Sequence, residues 1–219
     1  MTVEKVFVVA MDNEADAVTA HFADVSESTV FGRRVIRGTL GGEPTAVVVS
    51  DIGKSNAAAA TQLALSLFGP REILNAGVAG GLRDSMRIAE VYQVRAAVQY
   101  DFDLALINGT KVGTLNEYAE RELPLAVSGP FPKGLLATGD RFNDDPSDYR
   151  FLVEDVKADL RDMEGAAIAH VACRAGVRCR AIKSVSDLVW SGTAAEQYFA
   201  NLKSALETLS AAIPGFFVG

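Results

Sequence analysis

The stretch Arg161–Asp187, RDMEGAAIAHVACRAGVRCRAIKSVSD, narrows the possible folds of this chain more than any other. It reads as a strand end, an acidic residue, a helix, a turn, a buried strand and a second acidic residue. Ala166, Ala167, Ile168, Ala169, Val171 and Ala172 give a small-residue helix able to lie close on a sheet. Gly176 stands where that helix stops, since glycine accepts the left-handed C-terminal conformation. Val177, Ala181, Ile182 and Val185 then form a β-branched apolar run of the kind buried on both faces. The unit is therefore β-α-β, with Glu164 and Asp187 at the ends of its strands. Ligands of open α/β sheets bind at the carboxyl ends of the strands. Taken singly, Glu164 is a first-turn helix acid and Asp187 a turn former. Delivered as a pair to one sheet edge, they point to a site.

The rest of the chain repeats the alternation. Lys5–Met11 is a continuous apolar strand ending at Asp12-Asn13-Glu14, and a helix follows to about Phe22. Asp12 is the expected N-cap there, which places Glu14 in the first turn, near Glu164 and Asp187. Residues 25–50 carry three strands, with Gly41-Gly42 as a tight hairpin turn. Asn56–Leu67 is a helix capped by Asn56 or Ser55. Glu72–Ala79 is a buried strand running into Gly80-Gly81-Leu82, either a plain tight turn or a loop that lets a ligand approach backbone amides. Ile88–Tyr100 holds another strand. Residues 104–131 form a long connection of low periodicity, such as often serves function or an interface. Gly134–Thr138 is a short strand, and Asp145-Pro146-Ser147 opens a short helix. Phe142 lies just past a strand end, placed either to stack on a flat ring or to plug the core. A closing helix spans Thr193–Ile213.

With 219 residues, 49% hydrophobic and 22% charged, the chain suits one α/β domain over residues 1–219. A net charge of −7 argues against a nucleic-acid surface. No apolar run approaches the ~20 residues of a membrane span, and the N-terminus lacks signal-peptide character. Cys173 and Cys179 are too few for a disulfide framework and read as buried thiols of a reducing compartment, so a cytoplasmic protein is expected. His21 and His170 have no metal-ligand spacing. Gly53-Lys54-Ser55 lacks the earlier glycine of a phosphate loop, and Gly80-Gly81 is not a dinucleotide fingerprint. Neither a cofactor nor a metal is expected.

AMDNEAD, DIGKSNAAAA, NAGVAGGL, ATGDRF, DMEGAAIAHV and SVSD, in this order from Val6 to about Leu209, resemble the nucleoside phosphorylase/nucleosidase superfamily. The resemblance implies a three-layer α/β fold, with a mixed, mostly parallel central sheet flanked by helices, and a homodimer. It also implies hydrolysis of the N-glycosidic bond of an adenine thio-nucleoside. Carried over by motif, Glu14 orients or deprotonates the attacking water and Asp187 protonates N7 of the leaving base, held by Ser186. Glu164 grips the ribose hydroxyls beside Met163. Phe142 stacks on the base, and the backbone of Asn143 bonds its edge. Ile52, Val78 and Met11 complete the pocket, and a partner's segment 100–113 closes its thioalkyl end. Lys183 and Val78 stand where arginine and serine are common. The rival readings are a phosphorylase, which needs cationic and amide donors for phosphate, and a non-catalytic nucleoside-binding protein.

Overall fold

The computed structural model describes residues 2–219. The strands are β1 Lys5–Val9, β2 Ala23–Val30, β3 Arg33–Leu40, β4 Glu43–Val49, β5 Glu72–Gly81, β6 Val91–Gln99, β7 Leu123–Pro124, β8 Lys133–Thr138, β9 Leu160–Asp162 and β10 Arg178–Leu188. The helices are α1 Asp12–Thr19, α2 Lys54–Phe68, α3 Ala105–Asn108, α4 Pro146–Arg150, α5 Gly165–Arg174 and α6 Ala194–Val218. A π-helical turn, Phe151–Val156, continues α4.

All ten strands join one mixed sheet flanked by helices. Helices α2 and α5 pack together on one face, over a core containing Val6, Val8, Ala57 and Ile168. Helices α1 and α6 cover the other, over Phe7, Val9, Leu209 and Ile213. The sheet is mixed, as expected: β1–β4, β1–β5, β5–β10, β6–β8 and β8–β9 are parallel, and the five other pairings are antiparallel.

β5 is the hinge of this topology. One edge pairs throughout with β10. The other edge is shared: Glu72–Asn75 pair with β1, while Gly80 and Gly81 pair antiparallel with Arg161 and Leu160 of β9. Strands β5, β10, β6, β8 and β9 thereby close into a ring, and β1, β4, β3 and β2 extend away from it. Between Asn75 and Gly80 that edge of β5 has no strand beside it, and its free amides need another partner. The opening lies where the two halves of the sheet part company, the kind of switch point at which α/β folds bind ligands.

Three expectations are corrected. β9 and β10 are not a parallel β-α-β pair, because β9 runs antiparallel to β5 whereas β10 runs parallel to it. Gly80 and Gly81 are strand residues, not a turn. The caps also differ. Met11 precedes α1 in extended conformation, making Asp12 the first helical residue, and Gly53, at φ 103°, caps α2 in place of Asn56 or Ser55. The cap at Asp145 is as expected, its side chain accepting from Ser147 N. Gly176, at φ 68°, follows the end of α5.

Candidate active site

The opening in the sheet leads into a cavity of about 420 Å³, within the range of small-molecule sites. Its lining contains Met11, Glu14, Ile52, Val78, Phe142, Met163, Glu164, Ser186 and Asp187. Asn143 is absent from it: its side-chain amide donates to Asp148, and its carbonyl accepts from Arg161.

Glu14 fills the gap in the β5 edge. Sitting in the first turn of α1, it accepts from Ala10 N (2.9 Å) and Met11 N (3.1 Å) with one oxygen and from Val78 N (2.9 Å) with the other. The carboxylate thus stands in for a missing strand. Gly77 makes the approach possible, since a Cβ there would lie 2.5 Å from Glu14 Oε1. Burial raises the pKa of Glu14 above the usual carboxylate range, against the pull of Lys183 and the three amides.

Glu164 follows β9 and precedes α5. One oxygen accepts from Gly53 N at 2.8 Å. The turn carrying Gly53 is pinned in turn: Lys54 N donates to Asp140, and Asp101 accepts from both Lys54 Nζ and Asp140 N. Asp51, with φ 66°, turns the chain so that Ile52 stands 53% exposed at the cavity rim. Burial, with nearby Asp162, moves Glu164 from its ordinary 4.5 to about 7. The native state therefore binds this proton more tightly than the unfolded chain, and stability falls as pH rises from 4.5 to 7. Glu164→Gln is expected to flatten that slope in melting temperature across this window. An unchanged slope would show that Glu164 does not titrate there.

Lys183, on β10, is 2% exposed and donates to Asp162 Oδ2 at 2.9 Å. Asp162 also accepts from Thr138 Oγ1 and Gly165 N. Burial works against the ammonium, but Asp162, Glu14 and Glu164 outweigh it and raise its pKa. Lys183 is thus a buried point charge among three carboxyl groups.

Asp187, also on β10, accepts from Ser186 Oγ through Oδ1 at 2.8 Å. Its Oδ2 is buried without a hydrogen-bond partner. Gly80 leaves room for it, since a Cβ there would lie 2.8 Å from Oδ2. Burial raises its pKa, partly offset by Ser186 and Arg161. Phe142 is 51% exposed at the rim, not a core plug, and meets Tyr198 edge to face with centroids 5.8 Å apart.

Sequence reasoning missed Arg161, Tyr198 and Phe199, all of which line the cavity. Arg161 carried a signal: it stands two residues before Met163 in the same short RDMEG stretch that delivers Met163 and Glu164 to the site. The aromatic pair at the start of α6 carried none.

This fold and acid-lined cavity match a known class. The family model described as "Phosphorylase superfamily" matches residues 4–216, and the chain belongs to that superfamily. It is 32% identical over 196 residues to the 5′-methylthioadenosine/S-adenosylhomocysteine nucleosidase of Halalkalibacterium halodurans, covering 82% of this chain and 83% of the relative. It is 31% identical to the corresponding nucleosidase of a Marinomonas species, covering 96% of each. A crystal structure of the Helicobacter pylori 5′-methylthioadenosine/S-adenosyl homocysteine nucleosidase, complexed with a pyrrolidine ligand, superposes with a TM-score of 0.90 at 26% identity. It covers 100% of this chain and 99% of that one.

Proposed function

We propose that this chain is a purine nucleosidase that hydrolyses the N-glycosidic bond of adenine thio-nucleosides, with 5′-methylthioadenosine and S-adenosylhomocysteine as substrates. The observation that carries the reading is the convergence of three carboxyl groups of raised pKa, from three distant segments, on one cavity. Glycosidic cleavage passes through an oxocarbenium-like state and needs a proton for the leaving group and a base for water. Asp187, whose pKa burial raises, donates its proton to purine N7 as the C1′–N9 bond breaks, and the bonding electrons go into the ring. Glu14 orients the water and takes its proton as oxygen bonds to C1′. Glu164 and Met163 hold the ribose, while Phe142 lies against the base. Exchange with solvent restores both acids. Glu14→Gln is expected to lower kcat by at least about 10², measured by adenine release, and an activity within a few-fold of the wild type would remove Glu14 from this role.

Water suits the site better than phosphate does. An incoming anion would face Glu14 and the apolar Val78, whose N–H is already bonded to Glu14, and Lys183 is tied to Asp162. The direct test follows the ultraviolet change on incubation with 5′-methylthioadenosine, with and without phosphate, and identifies the sugar. Adenine and the free thio-sugar without phosphate support hydrolysis. A sugar phosphate formed only with phosphate overturns it, and intact nucleoside overturns turnover altogether.

The reading extends to a homodimer. Leu106 and Ile107 of α3 present almost fully exposed apolar side chains, within the segment expected to close a partner's thioalkyl pocket. Light scattering on the purified chain tests this. Both cysteines are free, Cys179 buried and Cys173 only partly so, which supports a reducing, cytoplasmic setting. No helix among the described residues is long and apolar enough to cross a membrane.

A further inference from the structure

Helix α2 begins without a cap of its own. Gly53, at φ 103°, has no side chain to bond the first amides, and Asp51, two residues earlier, also takes a positive φ of 66°. Amides at a helix start need acceptors and favour negative charge. Here the acceptors come from distant parts of the chain. Gly53 N donates to Glu164 Oε1 at 2.8 Å, and Lys54 N donates to Asp140 Oδ1 at 2.8 Å. Asp101 ties the second contact down. Its Oδ1 accepts from Lys54 Nζ, and its Oδ2 accepts from Asp140 N at 3.0 Å. The Lys54 and Asp101 side chains are only 18% and 17% exposed.

Asp101, Lys54 and Asp140 thus form a closed triangle, one residue from the amide that holds Glu164. That amide matters because it gives the Glu164 side chain its only hydrogen bond among the described residues. With Oε1 spent on Gly53, Oε2 remains for the ribose. An acceptor serves a bound hydroxyl only if it is held in place, since small displacements in a site cost binding and rate. Asp101 is not among the residues lining the cavity, so any influence on the sugar must pass through its partners.

We propose that Asp101 is a positioning residue. Through Lys54 and Asp140 it seats the Gly53 amide, and with it the free oxygen of Glu164, so that the preference of the site for ribose over 2′-deoxyribose depends on it. This rests on the assignment of Glu164 to the ribose hydroxyls. It adds to that reading a device, outside the cavity, that sets which sugar is accepted.

The test compares 5′-methylthioadenosine with its 2′-deoxy counterpart in the wild type and in Asp101→Asn. Asparagine keeps the size and an acceptor for Asp140 N but removes the charge facing Lys54. The wild type should favour the ribo substrate. In the variant, the ratio of kcat/KM for the ribo over the 2′-deoxy substrate should fall about 10-fold, near the worth of one hydrogen bond to a charged group. Lys54→Gln breaks the same pair from the other end and should lower the ratio likewise. In a Glu164→Ala background, Asp101→Asn should leave the ratio where it is, because the two act as one unit. A merely structural role would lower both substrates together in Asp101→Asn and leave the ratio unmoved, which overturns the proposal. A further fall in the Glu164→Ala background overturns it too. If neither nucleoside is cleaved, the hydrolase assignment fails, while calorimetric titration with the same pair still decides the role of Asp101. A ribo preference in binding that weakens in Asp101→Asn supports it, and an equal preference in both proteins overturns it.

Discussion

Replacing Asp187 with asparagine is expected to lower kcat on 5′-methylthioadenosine by about 10²–10⁴, the usual contribution of one general acid. Asparagine preserves size and can still accept from Ser186, but it has no acidic proton for N7. The site should therefore keep binding adenine while losing turnover. The wild-type profile supplies a second check. Burial raises the Asp187 pKa, and the acid works only while protonated, so kcat should fall as pH rises through that value. Asp187→Asn should lose this alkaline limb. Near-normal turnover in a variant that binds adenine normally would mean that the leaving group draws its proton from elsewhere.

Lys183→Met should produce the largest change in stability. The ammonium is buried, 2.9 Å from Asp162, and is felt by both Glu14 and Glu164. Removing one partner of such a pair strands buried charge and costs about 3–5 kcal/mol. For a chain of this size that corresponds to a fall in melting temperature on the order of 10 °C. The same substitution removes an influence that lowers the pKa of Glu14 and Glu164. Both should move further up, and the acid limb of the activity profile should shift to higher pH. Melting within a couple of degrees of the wild type, with an unmoved profile, would show that the carboxyl groups shed their charge without needing the lysine. Lys183 makes one contact with Asp162 where an arginine would reach with a fork. Bidentate bracing is therefore not required to hold Asp162, which also draws on Thr138 and Gly165.

Much of the local structure was legible because it depends on near neighbours in sequence. The β-branched run from Val177 to Val185 is a strand on any reading, and β10 spans Arg178–Leu188. The alanine-rich segments became α2 and α5. Asp145-Pro146 capped α4 as its chemistry requires. The cap of α2 falls at Gly53, away from the local preference, for a physical reason. Gly53 is held by Glu164 and crowded by Asp140, each from far along the chain, and those contacts outweighed the local preference for Asn56 or Ser55. Gly80 and Gly81 read as a turn for a similar reason. Glycine signals either a bend or a close approach, and only the positions of Asp187 and Leu188 beside them decide for the second.

By itself, the sequence determined which segments are strands and helices and which residue types stand at their ends, because periodicity, capping and β-branching act over a few residues. Through its ordered motifs it also marked Glu14, Glu164 and Asp187. The tertiary structure alone decided that β9 turns back against β5, that the β5 edge between β1 and β9 is left for Glu14 to fill, and that Arg161 comes to face Asp187. Each of these depends on atoms brought together from distant segments, and the burial that raises the three acids exists only once the sheet has closed around them.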